Sequence, residues 1–99
     1  MQLKDKVALI TGAGRGIGQS IAVAFAKEGA KLVLSDLKKE FLTETETLAK
    51  QAGSPAITLT EGNVAKGEEV NEIVKIALDT HDRIDILVNV AGITKDGLL

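Results

Sequence analysis

A chain of 99 residues with 44% hydrophobic and 26% charged side chains has the size and composition of one globular domain. Its net charge of −2 gives no electrostatic reason to bind nucleic acid or an anionic membrane, and with no cysteine and one histidine it offers no disulfide, thiolate metal site or multi-histidine metal centre. Residues 1–6 are too polar for a signal peptide and no apolar run approaches a membrane span, so a cytoplasmic protein is expected.

The first predicted element is a strand over 7–11. Its apolar residues Val7, Ala8, Leu9 and Ile10 are consecutive rather than alternating, as in a parallel strand covered on both faces. A glycine-rich turn leads into a helix over 17–27, with Ile17, Ile21, Ala24 and Phe25 on one face and Gly29 as its stop. The small residues Ala22, Ala24 and Ala26 allow that helix to approach a sheet closely. A second strand over 31–35 ends at Asp36. A second helix over 38–52 repeats Phe41, Leu42, Thr45, Leu48, Ala49 and Ala52 at helical spacing, carries Glu46 and Lys50 four apart, and stops at Gly53.

Pro55 precedes a third strand over 56–60. The third helix, over 66–80, turns Val70, Ile73, Val74, Ala77 and Leu78 inward. His81 at its end is placed to complement the helix dipole and to bind the last carbonyls. Phe25 and Phe41 are read as core. The fourth strand covers 84–90, and 91–99 is a loop or the start of another element. Strands alternating with helices predict an α/β fold with a parallel sheet and right-handed crossovers. In a doubly wound sheet the order is 3-2-1-4, with the first two helices on one face and the third on the other. The switch point then falls between strands 1 and 4, where a ligand belongs.

The stretch Thr11-Gly12-Ala13-Gly14-Arg15-Gly16-Ile17-Gly18 lies at that point, between a strand and a helix. Glycine takes positive φ and admits a ligand close to the backbone, while the helix start presents unpaired N–H groups to an anion. The fingerprint G-x-G-x-x-G would require glycine at position 17. The pattern that fits is T-G-x-x-x-G-x-G, carried by Thr11, Gly12, Gly16 and Gly18. Asp36, at the end of strand 2, is placed to accept hydrogen bonds from an adenosine ribose and to repel a 2′-phosphate. This favours NAD over NADP. Arg15 pulls weakly the other way, as a loop cation able to meet a 2′-phosphate, and is equally readable as a solvated surface residue. The plain alternative for Asp36 is an acid at a helix start before Lys38. Asn63-Val64 and Asn89-Val90-Ala91-Gly92 follow strands 3 and 4, on the edge where ligands bind; by composition alone they are turns.

The glycine pattern, together with Asp85-Ile86-Leu87-Val88-Asn89-Val90-Ala91-Gly92, resembles the short-chain dehydrogenase/reductase family, whose corresponding segment ends in Asn-Asn-Ala-Gly. With Ile93-Thr94-Lys95-Asp96-Gly97-Leu98-Leu99 the chain is most similar to the 3-oxoacyl-[acyl-carrier-protein] reductases within it, and the resemblance runs the whole length. It implies half of a doubly wound Rossmann-type fold, a truncated dinucleotide-binding domain over 1–99. It implies that Gly12, Arg15, Gly16 and Ile17 surround the pyrophosphate and adjoining ribose. Asp36 then takes the adenosine ribose, Asn63 and Val64 line the adenine, and Asn89, Ala91 and Gly92 border the cofactor from strand 4.

Two departures stand out. Val90 replaces the second asparagine of the family motif, an apolar strand former suited to a packed or newly paired edge. The family's catalytic serine and Tyr-x-x-x-Lys motif come later in longer chains, and these 99 residues contain no tyrosine. Ser20, Ser35 and Ser54 sit in a helix, at a strand end and in a turn, and none matches the catalytic position. No residue is therefore given a catalytic role, Lys95 and Asp96 are read as solvated, no turnover is expected, and NAD binding is expected to be weak. Strand 4 would form an open apolar edge through Ile84, Ile86, Leu87 and Val88, so a homodimer through that region is expected. The alternative to a nucleotide-binding half is thus a self-associating structural half-domain.

Overall fold

The consecutive apolar runs fold as four parallel strands in a computed structural model that describes residues 2–91. In chain order these are β1 (Val7–Thr11), α1 (Gly16–Lys27), β2 (Lys31–Asp36), a 3₁₀ turn (Lys39–Leu42), α2 (Thr43–Ala52), β3 (Ile57–Glu61), α3 (Gly67–His81) and β4 (Ile86–Asn89). The sheet order is β3-β2-β1-β4, as the alternation predicts. Leu9 pairs with Val33 on one side and Leu87 on the other, and Ser35 stands between Thr11 and Thr60. Of the segment 91–99, expected as a loop or the start of another element, residues 92–99, Gly92 included, lie outside the described residues.

Strand side chains alternate between two cores. Ala8, Ile10, Leu32 and Leu34 pack with Ala22, Ala26, Leu42 and Ala49 beneath α1 and α2. Val7, Leu9 and Val33 pack with Ile73 and Ala77 beneath α3. Both faces of β1 and β2 are thereby sealed, which is why their sequences show no polar alternation.

Several side chains depart from the periodic reading. The row of α1 that meets the sheet is Gly18, Ala22 and Ala26; Ile21 and Phe25 flank it half-buried, while Ala24 and Ile17 are exposed. Close approach selects this row, since a Cβ on Gly18 would collide with the Gly12 carbonyl. The single helix expected over 38–52 breaks into the 3₁₀ turn and α2. Its tighter winding buries Leu42 and leaves Phe41 42% exposed rather than in the core. Leu78 is likewise exposed, because α3 meets the sheet through Ile73 and Ala77. The Lys50–Glu46 pair forms at 3.7 Å.

Helix α3 ends with Asp82 in the left-handed conformation (φ 67°), its N–H bonded to the Leu78 carbonyl at 2.8 Å. His81 turns to Thr58 instead of the helix carbonyls, with Nε2 and Oγ1 at 3.1 Å. Burial, with Lys31 nearby, lowers its pKa below 6.5, so the ring favours its neutral form and complements the dipole little.

Strand β4 is shorter than the expected 84–90. Before it, Asp85 accepts from the Val7 N–H at 2.9 Å and from Arg83 at 2.8 to 3.1 Å, and these bonds hold its carboxyl below the usual range. Val90 lies just past β4 and is buried. Among the described residues no helix is long and apolar enough to cross a membrane.

Candidate functional site

At Gly12 the chain leaves β1 with φ +66°, and a Cβ there would stand 2.7 Å from the Ala91 nitrogen. Only glycine satisfies both conditions, so the end of β1 and the residues after β4 close on one another. The loop is then tied to β2. Ala13 N–H donates to the Ser35 carbonyl at 3.1 Å, and Gly14 N–H donates to Asp36 Oδ2 at 2.9 Å. It is also tied to α2, where buried Thr45 donates from Oγ1 to the Ala13 carbonyl at 2.7 Å and accepts from Gln19 Nε2 at 3.0 Å.

Arg15, extended and exposed, precedes α1 without a side-chain cap, and no acidic residue sits in the first turn of the helix. The helix start therefore keeps its positive dipole end uncompensated by side chains. It borders a cleft of about 710 Å³ at the C-terminal ends of the strands. Thr11, Gly12, Arg15, Gly16 and Ile17 form one wall. Ser35, Asp36 and Leu37 come from the end of β2, Gly62, Asn63, Val64 and Ala65 from the end of β3, and Asn89 and Ala91 from the β4 side.

Every site residue predicted from sequence lines this one cleft except Gly92, which lies outside the described residues. Asp36 accepts from Gly14 N–H and, through Oδ1, from Leu37 N–H at 2.8 Å. These bonds fix the carboxylate and leave it further acceptor capacity. Asn63 turns its Oδ1 back to the Ala65 N–H at 2.9 Å and gives its own N–H to Glu69 Oε1 at 2.6 Å, shaping the loop after β3. Thr11 donates from Oγ1 to Asn89 Oδ1 at 2.7 Å, a bond that crosses from β1 to β4.

Leu37, Gly62 and Ala65 also line the cleft with no sign in the sequence pattern, and so does Ser35, weighed from sequence only as a catalytic serine. Leu37 and Ile17 are 58% and 60% exposed on the cleft; helical spacing counts Ile17 with the apolar face of α1, and Leu37 belongs to no periodic pattern. The cleft thus combines an anion-attracting helix start, apolar flanks and a fixed carboxylate. A smaller hollow of about 470 Å³, between Gln19, Val23, Lys27 and Leu48 on the helices, has neither strand ends nor the glycine loop. Among the described residues no cluster of His, Asp or Glu is suited to a metal ion.

Comparison with known proteins accords with this geometry. Residues 6–99 match the family model for short chain dehydrogenases. The chain is 47% identical over 97 residues to an uncharacterized oxidoreductase of Thermotoga maritima, covering 98% of this chain and 38% of that one. It is 43% identical over 101 residues to a 3-oxoacyl-[acyl-carrier-protein] reductase of the same organism, covering 100% of this chain and 40% of that protein. A crystal structure of a metagenomic short-chain oxidoreductase in complex with NADP superposes with a TM-score of 0.82 at 30% identity, covering 88% of this chain and 39% of that one. The chain spans about 38% of the length of the first of these relatives. With the parallel sheet, the glycine loop and a match across residues 6–99, the chain belongs to the short-chain dehydrogenase family.

Proposed function

We propose that the cleft binds a nicotinamide dinucleotide, and that it does so for hydride transfer between the nicotinamide and a carbonyl/alcohol pair. The observation that carries this reading is the uncapped start of α1, opening on a cleft that is also lined by a carboxylate fixed by the glycine loop. The first feature suits a diphosphate and the second a ribose diol. In this reading Gly12, Arg15, Gly16 and Ile17 surround the diphosphate and its adjoining ribose. Asp36 takes the adenosine ribose, Asn63 and Val64 line the adenine, and Asn89, Ala91 and Gly92 border the cofactor from strand 4.

NAD is preferred over NADP. Asp36 is held by Gly14 N–H and Leu37 N–H, so it stays where a 2′-phosphate would meet a like charge. Arg15, on the same cleft, is the counterweight. Isothermal titration with both nucleotides tests the preference: NAD should bind at least about tenfold more tightly, a gap of about 1.4 kcal/mol. Tighter binding of NADP would contradict it.

The substrate class favoured by similarity is a 3-oxoacyl thioester, after the named reductase relative. The 99 residues alone contain no tyrosine to act as the general acid, so by themselves they should bind nucleotide without turning it over. Steady NADH consumption by the purified 99-residue chain would refute this. A second reading, self-association through β4, is favoured by Leu87, 64% exposed on a strand paired only with β1 among the described residues. Sedimentation equilibrium should give a homodimer at tens of micromolar; a folded monomer there sinks it.

A further inference from the structure

Among the described residues, one buried side-chain polar atom lacks a hydrogen-bond partner, and it is the Ser35 hydroxyl. Ser35 is 1% exposed, lies at the end of β2 and lines the cleft. Its register neighbours are Thr11 and Thr60. Both of them spend their protons within the protein, Thr11 on Asn89 Oδ1 and Thr60 on the Leu34 carbonyl at 3.3 Å. A buried hydroxyl without a partner is a standing penalty, since buried polar groups are almost always paired. Residue 35 can also not drift, because its carbonyl accepts from Ala13 N–H and its neighbour Asp36 holds Gly14.

Alternation along β2 sets the direction. Val33 belongs to the core beneath α3, so Ser35, two residues on, faces the same side. Asp36 faces the opposite side, toward Gly14 on the α1 and α2 face. Both residues line the cleft, so its β2 side offers a carboxylate on one face of the strand and a hydroxyl on the other. The carboxylate only accepts hydrogen bonds, whereas the hydroxyl also donates.

We infer that the Ser35 hydroxyl is a ligand contact for the adenosine half of the dinucleotide, donating to a purine ring nitrogen or a ribose oxygen that Asp36 cannot serve. This rests on the reading of the cleft as a dinucleotide site. Ser35 acts on affinity and orientation and has no part in hydride chemistry.

The test is NMR titration of the 99-residue chain and its Ser35→Ala variant with NAD, AMP and nicotinamide mononucleotide, alongside thermal melts without ligand. The expected result is about tenfold weaker binding of NAD and AMP by the variant, the loss typical of one hydrogen bond. Binding of nicotinamide mononucleotide should not change, and the ligand-free melting temperature should stay level or rise because an unpaired hydroxyl has been removed. Unchanged AMP and NAD affinity in the variant overturns the inference, as does a lowered melting temperature with unchanged affinity, which marks a structural hydroxyl. Should Ser35→Ala fail to fold, Ser35→Cys keeps the shape with a weaker donor and should show an intermediate loss. If the unaltered chain binds neither NAD nor AMP, the reading of the cleft itself fails, a result distinct from a variant that binds as well as its parent.

Discussion

The two flanks of β1 are built differently. Toward β2 the residues are buried on both faces, and the glycine loop is tied to Ser35, Asp36 and Thr45. Toward β4 burial falls away, with Leu87 and Asn89 exposed and Ile86 and Val88 half-buried. The sealed flank carries most of the proposed nucleotide contacts, while β4 contributes the Asn89 and Ala91 side of the cleft. Rigidity is therefore concentrated where diphosphate and adenosine would lie. A loop proposed to hold a diphosphate needs its N–H groups fixed before the ligand arrives, and this loop is fixed by its neighbours rather than by a helix cap.

Substitutions on the two flanks should differ in scale. The largest effect is expected from Gly18→Val, whose Cβ would strike the Gly12 carbonyl. It should cost about 3 kcal/mol in urea unfolding and remove nucleotide binding with it. Asp36→Ala removes the acceptor for two loop N–H groups. NAD should bind about 10- to 100-fold more weakly in calorimetric titration, with NADP affected less or improved. A uniform loss for both nucleotides would show that Asp36 only braces the loop.

Thr45→Val leaves the Ala13 carbonyl without its hydroxyl donor and Gln19 with only its 3.4 Å bond to the Gly14 carbonyl, and should cost about 1–3 kcal/mol by chemical denaturation. On the open flank, Leu87→Lys should change stability by no more than about 0.5 kcal/mol. The same substitution should abolish the dimer in sedimentation equilibrium. A comparable loss of stability from Leu87→Lys and Thr45→Val would erase the distinction between the flanks.

The smallest effect is that of pH. His81 has a lowered pKa in the folded chain, so its contribution is complete above 6.5 and is lost as pH falls from there through the folded value. Stability should therefore decline gently on acidification below about 6.5, and His81→Gln should flatten that decline. Asp85, also lowered, loses its contribution only as pH falls below 3.8. Stability that rises on acidification between 7 and 6 would contradict the assignment of His81.

Topology was the most legible part of the sequence. Consecutive apolar runs separated by helical patterns left a parallel sheet as the simple solution, and the spacing around Gly12, Gly16 and Gly18 marked the switch point. Side-chain placement on α1 was less legible. Periodicity weights large apolar residues, whereas the helix meets the sheet through Gly18, Ala22 and Ala26 because the approach is close. Phe41 was misjudged for a related reason: its backbone lies in the 3₁₀ turn, which helical spacing does not distinguish from the start of α2. In the cleft, Asp36 was visible through its position after β2. Ser35 was visible only as a serine at a strand end, since its lack of a partner is a property of the fold. The turn of His81 toward Thr58 likewise depends on β3 lying beside α3, a long-range contact that local sequence does not encode.

The most direct test of the account is a pair of NMR titrations of the isotopically labelled chain, one with NAD and one with NADP. Amide shifts should centre on residues 12–18 and on Ser35 and Asp36, saturating at lower concentration with NAD. A well-dispersed spectrum that does not move with either nucleotide, or that moves only elsewhere, would contradict it.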